Sequence, residues 1–184
     1  KVLVEETVAK TGRLDCMFNN AGIAVGGMTH EYQVSDWDTT MDVNVRGVTN
    51  GVQACYSLMV EQGFGHIVNT ASMAGLVPAT NAVAYSTSKF AVAGLSQSLR
   101  IEAEYRGVRV SALCPGAIQT PILTGGEFGK LGSGITKEQA EKFWVALKPM
   151  AAEAFARQAI DKVAKNHALI IVPSWWQKAH LVFR

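Results

Sequence analysis

The sequence predicts an α/β fold of the doubly wound kind, a parallel sheet with helices on both faces, and three observations carry that expectation. Short continuous apolar runs at residues 14–18, 66–70, 108–114 and 168–172, set off by Gly or Pro, suit strands buried on both faces. Longer stretches with helix start and stop signals lie between them, and such alternation is the mark of parallel sheets built from strand–helix–strand units. A length of 184 residues with 48% hydrophobic and 17% charged residues suits one globular domain over residues 1–184, with a sizeable core.

In chain order, the first dozen residues read as the end of an amphipathic helix. The first apolar run, 14–18, leads into Asn19-Asn20-Ala21-Gly22. A helix is expected over residues 36–62, with Ser35 and Asp38 as a capping box and Gly63 as its stop. After the strand at 66–70, a second long helix over 83–105 ends at Gly107. The strand at 108–114 is followed by a loop containing Gly125, Gly126, Gly129, Gly132 and Gly134. Loops longer than about 12–15 residues are usually functional or disordered. In an open α/β sheet ligands bind beyond the carboxyl ends of the strands, where this loop emerges. Residues 121–136 are therefore read as a substrate lid, the alternative being a flexible connector. Thr136 and Gln139 form a capping box for a helix over 137–147, and a further helix over 151–166 precedes the last strand.

Charge and cysteine usage exclude several classes. A net charge of +2 without a Lys/Arg cluster leaves no electrostatic footprint for nucleic acid. Cys16, Cys55 and Cys114 are odd in number and lie in apolar runs, which reads as reduced thiols in a reducing compartment. His30, His66, His167 and His180 show no metal-ligand spacing, so no metal is expected. No apolar run reaches the length of a membrane span, and the start lacks a signal-peptide pattern, so a cytoplasmic location is expected. The tail, with Trp175, Trp176, Leu181 and Phe183 beside Lys178 and Arg184, reads as a subunit interface or a helix cut short, with a membrane-surface helix as the weaker alternative.

Chemistry concentrates at Ser72, Tyr85 and Lys89. In a helix the four-residue step from Tyr85 to Lys89 places phenol and ammonium on one face. A free phenol titrates near 10, and a fixed neighbouring cation favours the phenolate. Lowering it by roughly 3 units takes about 4 kcal/mol of differential interaction, a load for a close Lys together with a bound cationic ring. Ser72 adds a neutral donor.

A strand, Asn19-Asn20-Ala21-Gly22, Ser72 twelve residues before Tyr85-x-x-x-Lys89, and Pro115-Gly116 with Thr120 after a later strand occur here in one order. In that order they resemble the short-chain dehydrogenase/reductase family, in its compact single-domain branch. The resemblance implies a Rossmann-like doubly wound parallel sheet, of which the chain would be the C-terminal two-thirds, and an NAD(P)-dependent oxidoreductase interconverting a secondary alcohol and a carbonyl. Tyr85 would be the general acid/base, Lys89 would lower its pKa and hold the nicotinamide ribose, and Ser72 would hydrogen-bond the reacting oxygen. Asn44 matches the fourth catalytic position, where it would distort its helix and hold a water relaying protons from Lys89. Its alternative is an ordinary polar helix residue. Asn20, Ala21 and Gly22 would line the adenosine side of the dinucleotide, Gly22 being otherwise a turn glycine. Pro115, Gly116, the Ile118 backbone and the Thr120 hydroxyl would meet the nicotinamide. The cofactor would be NAD or NADP, and the assembly a homodimer or homotetramer. Val45, Val48 and Val52 share one helical face, open either to such an interface or to the sheet.

The family's glycine-rich phosphate loop, between a first strand and a first helix, has no counterpart. Gly26 and Gly27, and Gly125 and Gly126, are assigned no phosphate. The family pattern places three strands before the one at 14–18, and without them that strand would be an unpaired apolar edge. The expectation is an N-terminally incomplete piece of a longer chain. Leu76, Val77, Pro78, Ile122, Leu123, Phe128 and Trp144 suit either an apolar substrate pocket or core. Isomerase or dehydratase chemistry on the same Tyr–Lys pair, and a non-catalytic regulatory or scaffold role, are the competing functions.

Overall fold

The computed structural model describes residues 1–127 and 129–182. Phe128, Phe183 and Arg184 lie outside the described residues.

Helix α1 (Val2–Thr11) closes at Gly12, whose φ of 78° is the left-handed conformation that ends many helices. Strand β1 (Cys16–Asn19) follows, and then α2 (Val34–Met41), a single π-helical turn (Asp42–Arg46) and α3 (Gly47–Gln62). Next come β2 (Gly65–Thr70), α4 (Val83–Glu104), β3 (Val108–Pro115) and the two-residue β4 (Ile118–Gln119). The rest is α5 (Lys137–Ala146), β5 (Met150–Ala151), α6 (Ala152–Ala164), β6 (Leu169–Val172) and α7 (Trp176–Val182).

Four strands form one parallel sheet in the order β1-β2-β3-β6, and β4 pairs with β5 as a separate parallel pair. The α/β expectation is therefore met, with every expected strand present within one or two residues. Burial alternates along β2: Ile67 belongs to the core beneath α3 and α4, with Val48, Val52, Cys55, Met59, Val92 and Ala103, whereas Val68 belongs to the core beneath α6, with Leu113, Ala159, Val163, Ile170 and Val172. Withdrawing each such Val or Ile from water contributes about 1.5–3 kcal/mol. Val48 and Val52 thus cover the sheet. Among the described residues strand β1 pairs with β2 alone, at an edge of the sheet, with Phe18 47% exposed.

One local difference from the sequence reading has a physical reason. The helix expected to start at Asp36 starts at Val34, because the Asp36 carboxylate reaches back to accept the Gln33 N–H at 2.9 Å and so caps two positions earlier than the Ser35–Asp38 pair would. The helix expected over 36–62 carries a π turn at Asp42–Arg46, a local distortion of the kind expected at Asn44, which sits fully buried there. The capping box at Thr136 and Gln139 forms as expected, with Thr136 N–H to Gln139 Oε1 at 2.8 Å and Gln139 N–H to Thr136 Oγ1 at 3.2 Å.

The glycine-rich loop is not a free connector. Val25 and Lys130 form a parallel bridge, Gly26 N–H donates to the Lys130 carbonyl at 2.7 Å, and Lys130 Nζ pairs with Asp36 at 3.0 Å. Those bonds engage the Gly26 and Gly27 amides inside the protein, Gly27 donating to the Asn81 carbonyl at 2.9 Å.

Candidate active site

Parallel register brings the carboxyl ends of β1, β2 and β3 level: Asn19 stands opposite Asn69, and Thr70 opposite Leu113. The segments that leave those ends therefore emerge on one edge of the sheet. Ser72 lies two residues beyond β2 at the start of a 3-10 turn, and its Oγ accepts the Ala74 N–H at 3.1 Å. Tyr85 is in the first turn of α4 and half-buried. Ser86 Oγ donates to the Ala74 carbonyl at 2.6 Å, which ties the Ser72 turn to α4 and fixes Ser72 relative to Tyr85.

Lys89, one helical turn on, is 2% exposed; its Nζ donates to the Thr70 carbonyl at 2.8 Å and lies 5.6 Å from the centroid of the Tyr85 ring. An ammonium carries three donors. Among the described residues Thr70 is the one partner given to them. Asn44 donates from Nδ2 to the Ile23 carbonyl and to Ser88 Oγ, each at 2.9 Å, and its Oδ1 accepts the Ile23 N–H at 2.8 Å. Ser88 in turn donates to the Tyr85 carbonyl at 2.7 Å. Both amide hydrogens of Asn44 are engaged, so a water held there would bond to its backbone carbonyl or to the remaining Oδ1 lone pair. Gly22 abuts the same group: a Cβ there would lie 3.2 Å from both Asn44 Oδ1 and Lys89 Nζ.

Residues 1–127 match the family described as short chain dehydrogenase. The chain belongs to that family. It is 41% identical over 122 residues to the 2-(R)-hydroxypropyl-CoM dehydrogenase of Xanthobacter autotrophicus, covering 65% of this chain and 49% of the relative. It is 37% identical over 122 residues to a 3-oxoacyl-acyl-carrier-protein reductase of Thermotoga maritima, covering 66% and 50% respectively. A Burkholderia phymatum short-chain dehydrogenase/reductase solved in complex with NAD superposes with a TM-score of 0.83 at 26% identity, covering 98% of this chain and 68% of that one. The chain spans about half the length of these two curated relatives.

Among the other expected positions of this family member, Asn20 is exposed and its Oδ1 accepts the Thr70 hydroxyl at 3.0 Å, so the loop after β1 is tied to the residue whose carbonyl holds Lys89. Ala21 is exposed. Pro115 and Gly116 are half-buried at the end of β3, Ile118 is buried in β4, and the exposed Thr120 donates weakly to the Ile118 carbonyl at 3.4 Å. Asn19 instead serves the fold: its Nδ2 donates to Asn69 Oδ1 at 2.8 Å, and Asn69 donates to Ser96 Oγ at 3.0 Å.

Burial dominates the electrostatics. It pulls the Lys89 ammonium down to about 8 and pushes the Cys114 thiol up to about 12, leaving that thiol neutral beside the site. Burial also raises the Tyr85 phenol above its ordinary value, while the Ser72 side chain draws it down and Cys114 adds to the rise. The downward pull expected from Lys89 does not figure in this geometry, where burial dominates.

Of the residues suited to pocket or core, Val77 is buried in the core and Leu76 packs against it. Pro78 lines an open cleft of about 450 Å³ with Val83, Ser86 and Phe90. Ile122, Leu123 and Trp144 are half-buried in and beside the glycine-rich loop, and Phe128 is outside the described residues. Sequence reasoning missed Ser86 and Ser88, which sit inside the Tyr85-Lys89 stretch but carry no signal of their own, and the Thr70 carbonyl, which no side-chain pattern can reveal. It also missed the contact of Trp176 with Gly116, where a Cβ would collide with the indole.

Proposed function

We propose that this chain carries the catalytic half of an NAD(P)-dependent oxidoreductase that interconverts a secondary alcohol and a carbonyl. The observation that carries the reading is the buried Lys89 ammonium, with donors to spare beyond Thr70, one turn from Tyr85 and beside the glycine that leaves room for it.

The residues fit the nicotinamide end of a dinucleotide. Lys89 would hold the ribose hydroxyls with Tyr85, the segment of Pro115, Gly116, Ile118 and Thr120 would meet the carboxamide, and Asn20, Ala21 and Gly22 would line the adenosine side. No strand, glycine loop and helix of the pyrophosphate-cradling kind occurs among the described residues. When bound, the nicotinamide ring supplies or accepts the hydride; NAD and NADP both suit the reading.

The chain's own residues manage the proton. Tyr85 Oη gives its proton to the carbonyl oxygen in reduction and takes it back in oxidation, replenished through Lys89. Ser72 Oγ accepts from Ala74, so its own O–H is free to donate to the reacting oxygen as charge develops. A donor so placed contributes about 10²–10³ in rate. Burial raises the phenol pKa and the Ser72 side chain draws it down; the positive charge of a bound oxidised ring would lower it further.

Half-buried Ile122, Leu123 and Trp144 favour an apolar substrate. A homodimer or homotetramer belongs to the same reading, supported by Val83, Phe90, Ile101 and Tyr105, which α4 and its end leave exposed. Three free cysteines support a reducing compartment such as the cytoplasm. A screen of alcohols and ketones with NAD(H) and NADP(H), read by nicotinamide absorbance, tests the reading. Cofactor-dependent turnover of an apolar alcohol or ketone is expected; none across the panel, or a preference for charged sugars, would contradict it.

A further inference from the structure

Three segments that leave the sheet at neighbouring strand ends meet beside the site. Residues 24–27 follow β1, Asn81 stands between β2 and α4, and residues 129–133 belong to the glycine-rich loop after β3. Backbone joins them. Lys130 N–H donates to the Ala24 carbonyl at 3.0 Å, Gly26 N–H to the Lys130 carbonyl at 2.7 Å, and Gly27 N–H to the Asn81 carbonyl at 2.9 Å. Side chains close the same contact, with Lys130 Nζ on Asp36 at 3.0 Å and the Ser133 hydroxyl donating to Glu31. The chain itself supplies both partners of every one of these bonds.

Glycine is what lets the segments approach so closely. A Cβ at Gly132 would lie 2.8 Å from Gly27 Cα and 3.1 Å from Gly27 N, and one at Gly129 would lie 2.5 Å from the Ala24 carbonyl oxygen. Neither Gly129 nor Gly132 has a positive φ, so left-handed backbone is not what calls for glycine there; the close approach is. Gly27 and Asn81 do carry positive φ, 129° and 56°, backbone that favours glycine and tolerates asparagine. A flexible connector needs neither feature, whereas a packed contact between backbones needs both.

We infer that this part of the loop is a fixed wall rather than a swinging lid: residues 129–133 are docked on residues 24–27 by the chain's own backbone, with or without a bound dinucleotide, so the substrate meets a pocket of set size. The wall continues toward Ile122 and Leu123 through Gly125, where a Cβ would meet Leu131 Cγ at 3.5 Å. A wall already in place removes loop ordering from the cost of binding, and it discriminates by bulk. The docking stands on the contacts alone; what the wall selects rests on the oxidoreductase reading.

Residue-resolved hydrogen exchange, with and without NAD(H) or NADP(H), reads the docking. In the nucleotide-free wild type the amides of Gly26, Gly27 and Lys130 should exchange about 10²-fold or more below the rate of an unstructured chain, and nucleotide should change that by less than about three-fold. Gly132→Ala should speed their exchange about ten-fold or more while the amides of β2 and β3 stay protected, which separates undocking from global unfolding. Gly26→Ala is the control, because a Cβ there meets nothing closer than 3.4 Å, and protection at Gly27 and Lys130 should persist. Unprotected amides in the wild type, protection that appears only with nucleotide, a Gly132→Ala variant as protected as the wild type, or equal loss in both variants overturns the inference. Kinetics read the selection separately. The ratio of kcat/KM between a small and a bulky apolar ketone should shrink about three-fold or more in Gly132→Ala and hold in Gly26→Ala; an unchanged ratio removes the wall's part in selection. Protected amides in a protein that turns over no ketone keep the docking and remove the oxidoreductase reading.

Discussion

Replacing Lys89 by Met should make the protein more stable at neutral pH while ending its turnover. Burial brings the Lys89 ammonium down from 10.5 to about 8, which corresponds to about 3 kcal/mol of differential cost for keeping it charged in the folded chain. Met fills similar volume without that cost, but it leaves the Thr70 carbonyl without its 2.8 Å partner, a loss of about 1–3 kcal/mol. The net at pH 7 is a gain of about 1 kcal/mol. The pH dependence is the sharper signature. Between about 8 and 10.5 the unfolded chain holds a proton that the folded chain has released, so wild-type stability rises with pH through that window and falls as pH drops back through 8. The variant lacks that rise. Urea unfolding of both proteins at pH 7 and near pH 10 should therefore show the Met variant ahead at the lower pH and behind at the higher. A variant less stable at pH 7, by a margin that does not change with pH, would refute the reasoning.

Other expectations follow from the same contacts. His66 is 8% exposed, hydrogen-bonded to Ser111 Oγ at 2.8 Å, and burial with Arg109 and Arg100 nearby lowers it to about 4 from 6.5. Stability is then full above about 6.5 and lost as pH falls toward about 4, by about 3 kcal/mol; His66→Gln should flatten that acid limb in urea titrations. Asn44→Leu removes two donated bonds and orphans the Ile23 N–H, so a loss of about 2–4 kcal/mol in denaturant unfolding is expected. Ser72→Ala should lower kcat by about 10²–10³ with little change in cofactor affinity, measured by steady-state kinetics and nucleotide titration.

Strands and long helices were legible because they rest on patterns spread over many residues. The runs of β2 and β3 are apolar on both faces, and the stop at Gly63 is a local signal. Strands β4 and β5, each of two residues, are too short to carry a period, and the early start of α2 depends on which of two acidic residues reaches the free N–H. The site divides in the same way. Ser72, Tyr85 and Lys89 stand out by spacing and Asn44 by the family resemblance, and they lie near the ends of β1, β2 and β3. Their supports do not: the Thr70 carbonyl, Ser86 and Ser88 act through tertiary geometry that leaves no trace in the spacing. Trp176 reaches Gly116 across about sixty residues of chain, and only the packed structure joins them.

Tyr85→Phe tests the central claim most directly, because it deletes one hydroxyl and leaves the ring, Lys89 and the other proposed nucleotide contacts in place. Assayed beside the wild type on a ketone that the screen shows to be turned over, with nucleotide binding measured in parallel, the variant should lose turnover by about 10²-fold or more and bind cofactor with nearly unchanged affinity. Wild-type turnover in the Phe variant would contradict the account.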